Sequence, residues 1–412
     1  MWHWAEDIAA PANTAQALAE GRPIGNNSDL YPRWLGAREV LLYHRDPYSQ
    51  AVTREIQTGF YGRPLDLLRG SDPTDQVAFA YPLYVVFFLA PTVTLPFRTV
   101  MELFRWLSLC AIALSVPLWM HAIGLRPRRL LIVSAMVLAL SSFAAVQEFH
   151  MQNLTALVLL LVAASAASAV RGWPVLSGFL LALSTIKPQL SALFILWLVL
   201  WAVGRWKERR GLLGSLIATM ALLVIAAEKI SPHWIGKFIT AAHEYQTYAA
   251  DPSIVQALLP WFLAKIFSIA LVAVLFVLAW RWRKTPAGSQ DFAWGLAWAS
   301  TVTLALIPKL AAYNQLLLIP PLLVLVAERE TISKAGFVPR TMAKSAFACQ
   351  LWQWAAALIL SSCSLLLPAA RLKPAAELPL YTSLASWPIT LLAVALATFY
   401  LASARPRTAA SA

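Results

Sequence analysis

The chain has 412 residues, 59% of them hydrophobic and 13% charged, with a mean hydropathy of +0.63 and a formal charge of +13. Soluble domains are about 45–50% apolar and roughly 25% charged, so this balance excludes an ordinary soluble domain and points to a polytopic membrane protein. The basic excess marks cytoplasmic loops and anionic headgroups; no basic run is interleaved with aromatics in a soluble domain, so no nucleic-acid partner is expected.

The first 79 residues are polar and cannot cross a bilayer. The start, "MWHWAEDIAAPANTAQALAEG", has acids, no basic lead and no apolar core, so it is not read as a secretory signal. "YPRWLGAREVLLY" (31–43) puts Trp34, Leu35, Leu41 and Leu42 near one face, and Arg33, Arg38 and Glu39 toward another. This predicts a helix lying in the membrane interface with its rings at headgroup depth. Beyond it, a spanning helix needs about 20 apolar residues. Long candidates lie near 99–122, 129–147, 151–170, 211–230, 258–281, 291–308, 311–327, 344–367 and 383–403, and shorter ones at 80–96, 174–186 and 188–204. Helices are expected throughout, because hydrocarbon offers no partner to an unpaired backbone group. The fold class expected is therefore all-α, a polytopic transmembrane helix bundle. "PHWIGKFITAAHEYQTYA" (232–249) reads as a second interfacial helix. Two such elements on one side would roof a cleft between bilayer and water. Cys110, Cys349 and Cys363 fall in apolar stretches without CxxC spacing and are expected to be buried thiols, with no disulfide and no metal.

Basic clusters orient the bundle. "GRWKERRG" (204–211), "RWRKT" (281–285), "ERETISKAGFVPRTMAK" (328–344) and "ARPRT" (404–408) read as cytoplasmic. Counting spans then places 231–256, "PKLAAYNQ" (308–315) and 368–380 outside, with "KPQ" (187–189) and "EFHMQN" (148–153), and puts "RPRR" (126–129) inside. Parity fails before that point. Either 80–96, with Pro82, Pro91 and Pro96, is partial or re-entrant, or 174–186 and 188–204 are a pair that does not cross twice.

Polar groups at the span junctions carry the chemistry. Asp29, with Asp46, supplies a carboxylate beside an interfacial helix and is a candidate general base. The plain alternative is that Asp29 caps the 31–43 helix and "DPY" starts a turn. "EFHMQN" offers Glu148, His150, Gln152 and Asn153 to sugar hydroxyls or a phosphate, or is an ordinary polar turn. In "STIKPQ", Lys187 sits between two apolar segments before a helix-breaking proline. A lysine at membrane depth is a functional hypothesis by default: Lys187 is expected to neutralise a lipid phosphate, and its plain alternative is a side chain snorkelling from a helix end. Lys309, Tyr313 and Asn314 in "IPKLAAYNQLLLIPP" give a further phosphate or sugar contact, or a plain loop. No HExxH, GxSxG, Walker or GxGxxG motif occurs in a fitting context, and no stretch is long enough for a nucleotide-binding domain. A transferase of this kind needs a lipid-carried donor.

Asp29 before a helix ending in "RDPY", then "YPLYVVFFLAP" (81–91), "QN" (152–153), "GFLLALSTIKPQ" (178–189) and "YNQLLLIPPLL" (313–323), resemble glycosyltransferase family 87 over roughly 29 to 325. The resemblance implies a GT-C-like membrane enzyme in which the acidic residue of the first external loop, here Asp29, is the catalytic base. It implies an inverting single displacement that moves a hexose, with mannose expected, from a polyprenyl-phosphate sugar to a lipid or glycan acceptor. The expected place is the outer face of the bacterial inner membrane. No cofactor and no metal is demanded. Around the substrates it implies Arg33, Asp46, Tyr48, His150, Gln152, Asn153, Lys187, Gln189, Lys309, Tyr313 and Asn314. It also settles the parity, with 1–79 an external region, 80–404 the bundle and 405–412 a cytoplasmic tail. The family has a transmembrane helix before the loop. Residues 1–28 are too polar to supply it, so that helix is expected to be missing here or to lie before Met1. The competing class is a transporter or lipid-linked sugar flippase, which predicts paired halves with broken helices; no such internal symmetry is visible. A noncatalytic scaffold is the third reading, and it gives Lys187 no purpose.

Overall fold

The structure, a computed structural model, describes residues 2–366 apart from 4–5, 8–9, 20, 22–23, 67, 71, 249–251, 309–310 and 335. The expected span at 383–403, the loop at 368–380 and the tail at 405–412 lie outside the described residues. Among the described residues every regular element is helical and no strand occurs, as the apolar runs predict. In chain order these are α1 (Ala10–Ala19), α2 (Tyr31–Leu42), α3 (Gln50–Tyr61), α4 (Val86–Leu89), α5 (Phe97–Ala122), α6 (Arg129–Leu140), α7 (Phe143–Met151), α8 (Thr155–Val170) and α9 (Pro174–Leu183). There follow α10 (Pro188–Gly204), α11 (Trp206–Ile230), α12 (Trp234–Tyr248), α13 (Ile254–Leu258), α14 (Trp261–Trp282), α15 (Gln290–Leu306), α16 (Ile319–Ala327), α17 (Arg329–Lys334) and α18 (Phe337–Leu366).

Among the described residues three helices, α5, α11 and α14, are long and apolar enough to cross a membrane, and the pair α6–α7, bent by 57°, is either a broken span that would make a fourth or a re-entrant loop. Five further apolar segments among them, Leu83–Thr92, Thr155–Val170, Pro174–Ile186, Pro188–Gly204 and Ala312–Ala327, form shorter helices. The outer faces are apolar: Ile217, Leu222 and Ile225 of α11 and Ile266, Ile269 and Val277 of α14 are all exposed. Such faces are stable against lipid and not against water. The chain is a multi-pass membrane protein.

The core is built on small residues. α8, "TALVLLLVAASAASAV", is buried nearly all round and packs on α5 and α9. Its alanines and serines let backbones approach, as small residues do where lipid removes the hydrophobic drive. Ser165 Oγ donates to the Ser177 carbonyl of α9 at 2.8 Å. A Cβ on Gly178 of α9 would lie 2.0 Å from the Leu212 carbonyl of α11, so only glycine permits that crossing.

The bundle has two distinct ends. At one, Arg209 donates to the carbonyls of Trp201 (2.6 Å), Arg283 (3.1 Å) and Thr285 (2.7 Å), and its guanidinium lies 3.6 Å over the Trp201 ring. The basic clusters 204–211 and 281–285 therefore share an end. At the other end, Phe97 at the start of α5 packs on Tyr31 and Trp34, and the Met151 carbonyl closing α7 accepts from Asp29 N at 2.8 Å. α5 leaves this end and α6–α7 returns to it. The segment Leu83–Thr92, a short α-turn between 3-10 turns, stays there throughout. Tyr84 Oη donates to the Thr185 carbonyl (3.1 Å), and the Thr92 carbonyl accepts from Trp34 Nε1 (3.2 Å). Segment 80–96 is thus a partial element, and the pair 174–186 and 188–204 runs from end to end and back.

Several expectations are corrected. The helix expected at 129–147 breaks at Ser141–Ser142, where Ser142 Oγ caps α7 by accepting from Ala145 N at 3.2 Å. Helix α2 forms as expected but is no interfacial helix. Arg33, Trp34, Leu35, Ala37, Glu39 and Val40 are all buried, so its polar and apolar faces are both covered by protein. A Cβ on Gly36 would meet the Phe79 ring at 2.2 Å, which shows how closely that cover sits. Helix α12 does lie on the surface, with Trp234 alone buried in it. Cys110 is exposed on the outside of α5 and Cys349 is partly exposed, so the apolar context of Cys110 is a lipid-facing one. The side chain of Cys363 lies outside the described residues.

Candidate active site

The junctions 152–153, 186–188 and 312–315 meet residues 28–33 at the end opposite the basic clusters. Local sequence positions each piece. α7 stops at Gln152, a left-handed residue (φ 47°) whose N–H donates to the Glu148 carbonyl at 2.7 Å. The Gln152 amide accepts from Ser28 Oγ at 2.7 Å and donates to the His150 carbonyl at 2.6 Å. With Asp29 N bonded to Met151, this pins the 28–29 turn onto the end of α7. Pro188 pushes Lys187 off the helical region, to φ −133° and ψ 78°, so the side chain leaves the α9–α10 break sideways. Residues 312–318 form a 3-10 segment between α15 and α16, held by Tyr313 N donating to Gln147 Oε1 at 2.8 Å.

Asp29 is half-buried and does not cap α2. The cap is Leu30, without a side-chain bond, and Asp29 Oδ2 instead accepts from Asn153 Nδ2 at 2.9 Å. The Tyr313 phenol faces the same carboxyl. Arg33, in the first turn of α2, donates from Nη1 to the Asp29 carbonyl, and its guanidinium lies 4.0 Å over the Tyr81 ring. It is only 3% exposed, and its Nε–H has no acceptor among the described residues. Burial pushes the Tyr81 and Tyr48 phenols above their ordinary range, so both stay neutral at physiological pH.

Lys187 does not snorkel. It is 6% exposed, and Nζ donates to Asn153 Oδ1 (2.8 Å), Thr155 Oγ1 (2.8 Å) and Asn314 Oδ1 (3.4 Å). The ammonium also stands 4.9 Å over the Tyr313 ring. Desolvating an ammonium costs several kcal/mol, and three charge-assisted bonds of about 1.5–3 kcal/mol each offset that cost. Glu148 is fully buried, accepts from Ala156 N at 3.2 Å, and lies within electrostatic range of Lys187, Asp29 and Arg33. The network thus holds two carboxyl groups and two basic side chains in a largely dry setting, where charges interact strongly.

The structure gathers Asp29, Arg33, Asn153, Lys187, Tyr313 and Asn314 into this network and leaves the other predicted site residues that it describes outside it. Gln189 is exposed in the first turn of α10. His150 turns toward the N-terminal segment and pairs with Glu6 at 3.3 Å. Gln152 is a backbone pin. Asp46 holds its own turn, accepting from Tyr48 N at 3.1 Å, and pairs with Lys237 of α12 at 3.0 Å. Tyr48 backs the site one layer out, donating to the Tyr81 carbonyl at 2.6 Å. Lys309 lies outside the described residues. Sequence reasoning missed Thr155 and Tyr81. Thr155 lies two positions after "QN", and a hydroxyl that close to a polar junction was the available signal. Tyr81 opens the quoted segment 81–91 and gave no further sign.

The family model of glycosyltransferase family 87 matches residues 79–327, more than half of the chain. The chain belongs to that family. The matched span takes in Tyr81, Asn153, Lys187, Tyr313 and Asn314, whereas Asp29 and Arg33 precede it and reach the site through the fold. No match is found among the curated proteins. As a member of family 87 the protein is a membrane glycosyltransferase, which implies a sugar donor and an acceptor.

Proposed function

We propose that this family 87 glycosyltransferase moves a hexose, with mannose expected, from a polyprenyl-phosphate sugar to a hydroxyl of a lipid or glycan acceptor, with inversion. The observation that carries this reading is Asp29: its carboxyl is drawn away from its own helix into a buried polar network with two cations, Arg33 and Lys187. The Asp29 carboxylate takes the proton of the acceptor hydroxyl. The hydroxyl oxygen forms the bond to the anomeric carbon, the bond from that carbon to the phosphate oxygen breaks, and polyprenyl phosphate leaves with the electron pair. Charge developing on the phosphate is met by fixed protein cations, which act without reorganisation, so the scheme asks for no divalent metal. The reacting end faces outward across a bacterial inner membrane on this reading, since the basic clusters at the opposite end mark the cytoplasm. Residues 1–79 then form an external region, 80–404 the bundle and 405–412 a cytoplasmic tail.

Purified protein with a panel of polyprenyl-phosphate sugars tests this, scored by release of polyprenyl phosphate. Asp29→Asn keeps an acceptor for Asn153 and a similar shape but takes no proton. It is expected to fold as wild type and lose transfer by about a hundredfold or more, the lower end for a general base. Near-normal turnover in a folded Asp29→Asn protein would refute the assignment.

A further inference from the structure

Arg33 and Lys187 are both buried cations near Asp29, yet their bonding differs. An ammonium has three N–H donors and no acceptor. All three of Lys187 are spent on Asn153, Thr155 and Asn314, with the Tyr313 ring on a further side. A phosphate could reach Nζ only by displacing one of these partners. Arg33 is in the opposite condition. One bond from Nη1 ties it to the Asp29 carbonyl, its guanidinium lies over the Tyr81 ring, and Nε–H is left without an acceptor among the described residues. A buried guanidinium N–H without a partner costs the full desolvation of that donor, and the planar fork matches phosphate oxygens in pairs.

Asn153 explains what Lys187 is for. Its Oδ1 faces two donors, Lys187 Nζ at 2.8 Å and Thr155 Oγ1 at 3.0 Å, so the amide cannot be turned round without setting its NH2 against the ammonium. The NH2 is thereby aimed at Asp29 Oδ2, 2.9 Å away. Lys187 fixes Asn153, and Asn153 fixes the carboxyl.

Resting on the transfer reading above, the geometry points to a division of labour: Arg33 is the residue that binds the donor's phosphate, and Lys187 is a positioning residue that orients the Asp29 carboxylate through Asn153. The shared chemistry is an anionic phosphate on a lipid; free phosphate lacks the tail and serves as the control.

The test measures the Kd of polyprenyl phosphate and of inorganic phosphate, with kcat and donor KM, for wild type, Arg33→Gln, Lys187→Met and Asn153→Ala in detergent. Arg33→Gln is expected to weaken polyprenyl phosphate binding by about tenfold or more, the scale of one lost charge-assisted bond. Lys187→Met and Asn153→Ala are expected to lower kcat by about tenfold or more, with Kd and donor KM within about twofold of wild type. The double variant should lose little beyond either single one, because both cut the same relay. Inorganic phosphate binding as tightly as the lipid form, with Arg33→Gln affecting both equally, keeps Arg33 as the contact and discounts the tail. Lys187→Met weakening polyprenyl phosphate as much as Arg33→Gln does would overturn the assignment. If Lys187→Met does not fold, Asn153→Ala decides: unaltered kcat there sinks the relay. Asp29→Asn, run in parallel, separates failure of the base from failure of this division, since the binding data do not depend on turnover.

Discussion

Gln152 concentrates the constraints at the scale of one residue. A side chain with a Cβ pays about 1–2 kcal/mol in the left-handed region, and Gln152 stays at φ 47° because its amide bonds Ser28 and the His150 carbonyl. Removing the amide removes that compensation. Gln152→Ala should therefore be less stable than Gln152→Gly, which adopts this conformation without cost, and both less stable than wild type. Thermal denaturation in detergent reads the order, and alanine above glycine would show that backbone strain is not the issue. Lys187 shows the other side of residue-scale reading. Its cost at membrane depth is legible from "STIKPQ" alone, but whether it snorkels or is held depends on acceptors contributed by Asn153, Thr155 and Asn314.

At the scale of elements, breaks were legible where they are local. Pro188 ends the α9 segment because the residue before a proline is driven off the helical region. The bend between α6 and α7 carries no proline, and the serine pair at 141–142 gives no comparable signal. The loop after α3 offers a linkage test. Arg63 bonds the Asp72 carboxyl, which also accepts from Asp66 N at 2.9 Å, and these contacts, the Arg63 bond first, hold its pKa down to about 2. A depressed carboxyl stabilises the fold above its ordinary pKa of 3.8 and loses that contribution as the pH falls through about 2. Wild type should melt above Asp72→Asn at neutral pH, with the gap narrowing as the pH falls from about 4 toward 2. A gap that stays constant over that range would mean the ion pair is not its source.

At the scale of the molecule, the proposed orientation rests on the difference between the two ends of the bundle. Ala51 is exposed near the polar end and Lys284 is exposed at the basic end. In a cysteine-free background, Ala51→Cys should react with a membrane-impermeant thiol reagent in intact cells, and Lys284→Cys only after lysis. The reverse pattern would invert the proposed orientation.

The fold class and a short set of candidate polar residues were legible from composition and apolar runs. Apolar runs too long for soluble packing fix an all-helical membrane bundle, and the polar residues left at span junctions are few enough to be named one by one. The tertiary structure alone decided which of them meet. Asp29 and Asn153 lie 124 positions apart, Lys187 and Asn153 34 apart, and Lys187 and Asn314 127 apart, distances at which no local pattern reports on a hydrogen bond. It also decided that α2 is buried and that 83–92 stays at one end. An amphipathic face looks the same in sequence whether lipid headgroups or other helices cover it. A short proline-rich apolar run spans or does not according to what its two ends bond: here Thr185 near one end and Trp34 at the other, both at the polar end of the bundle.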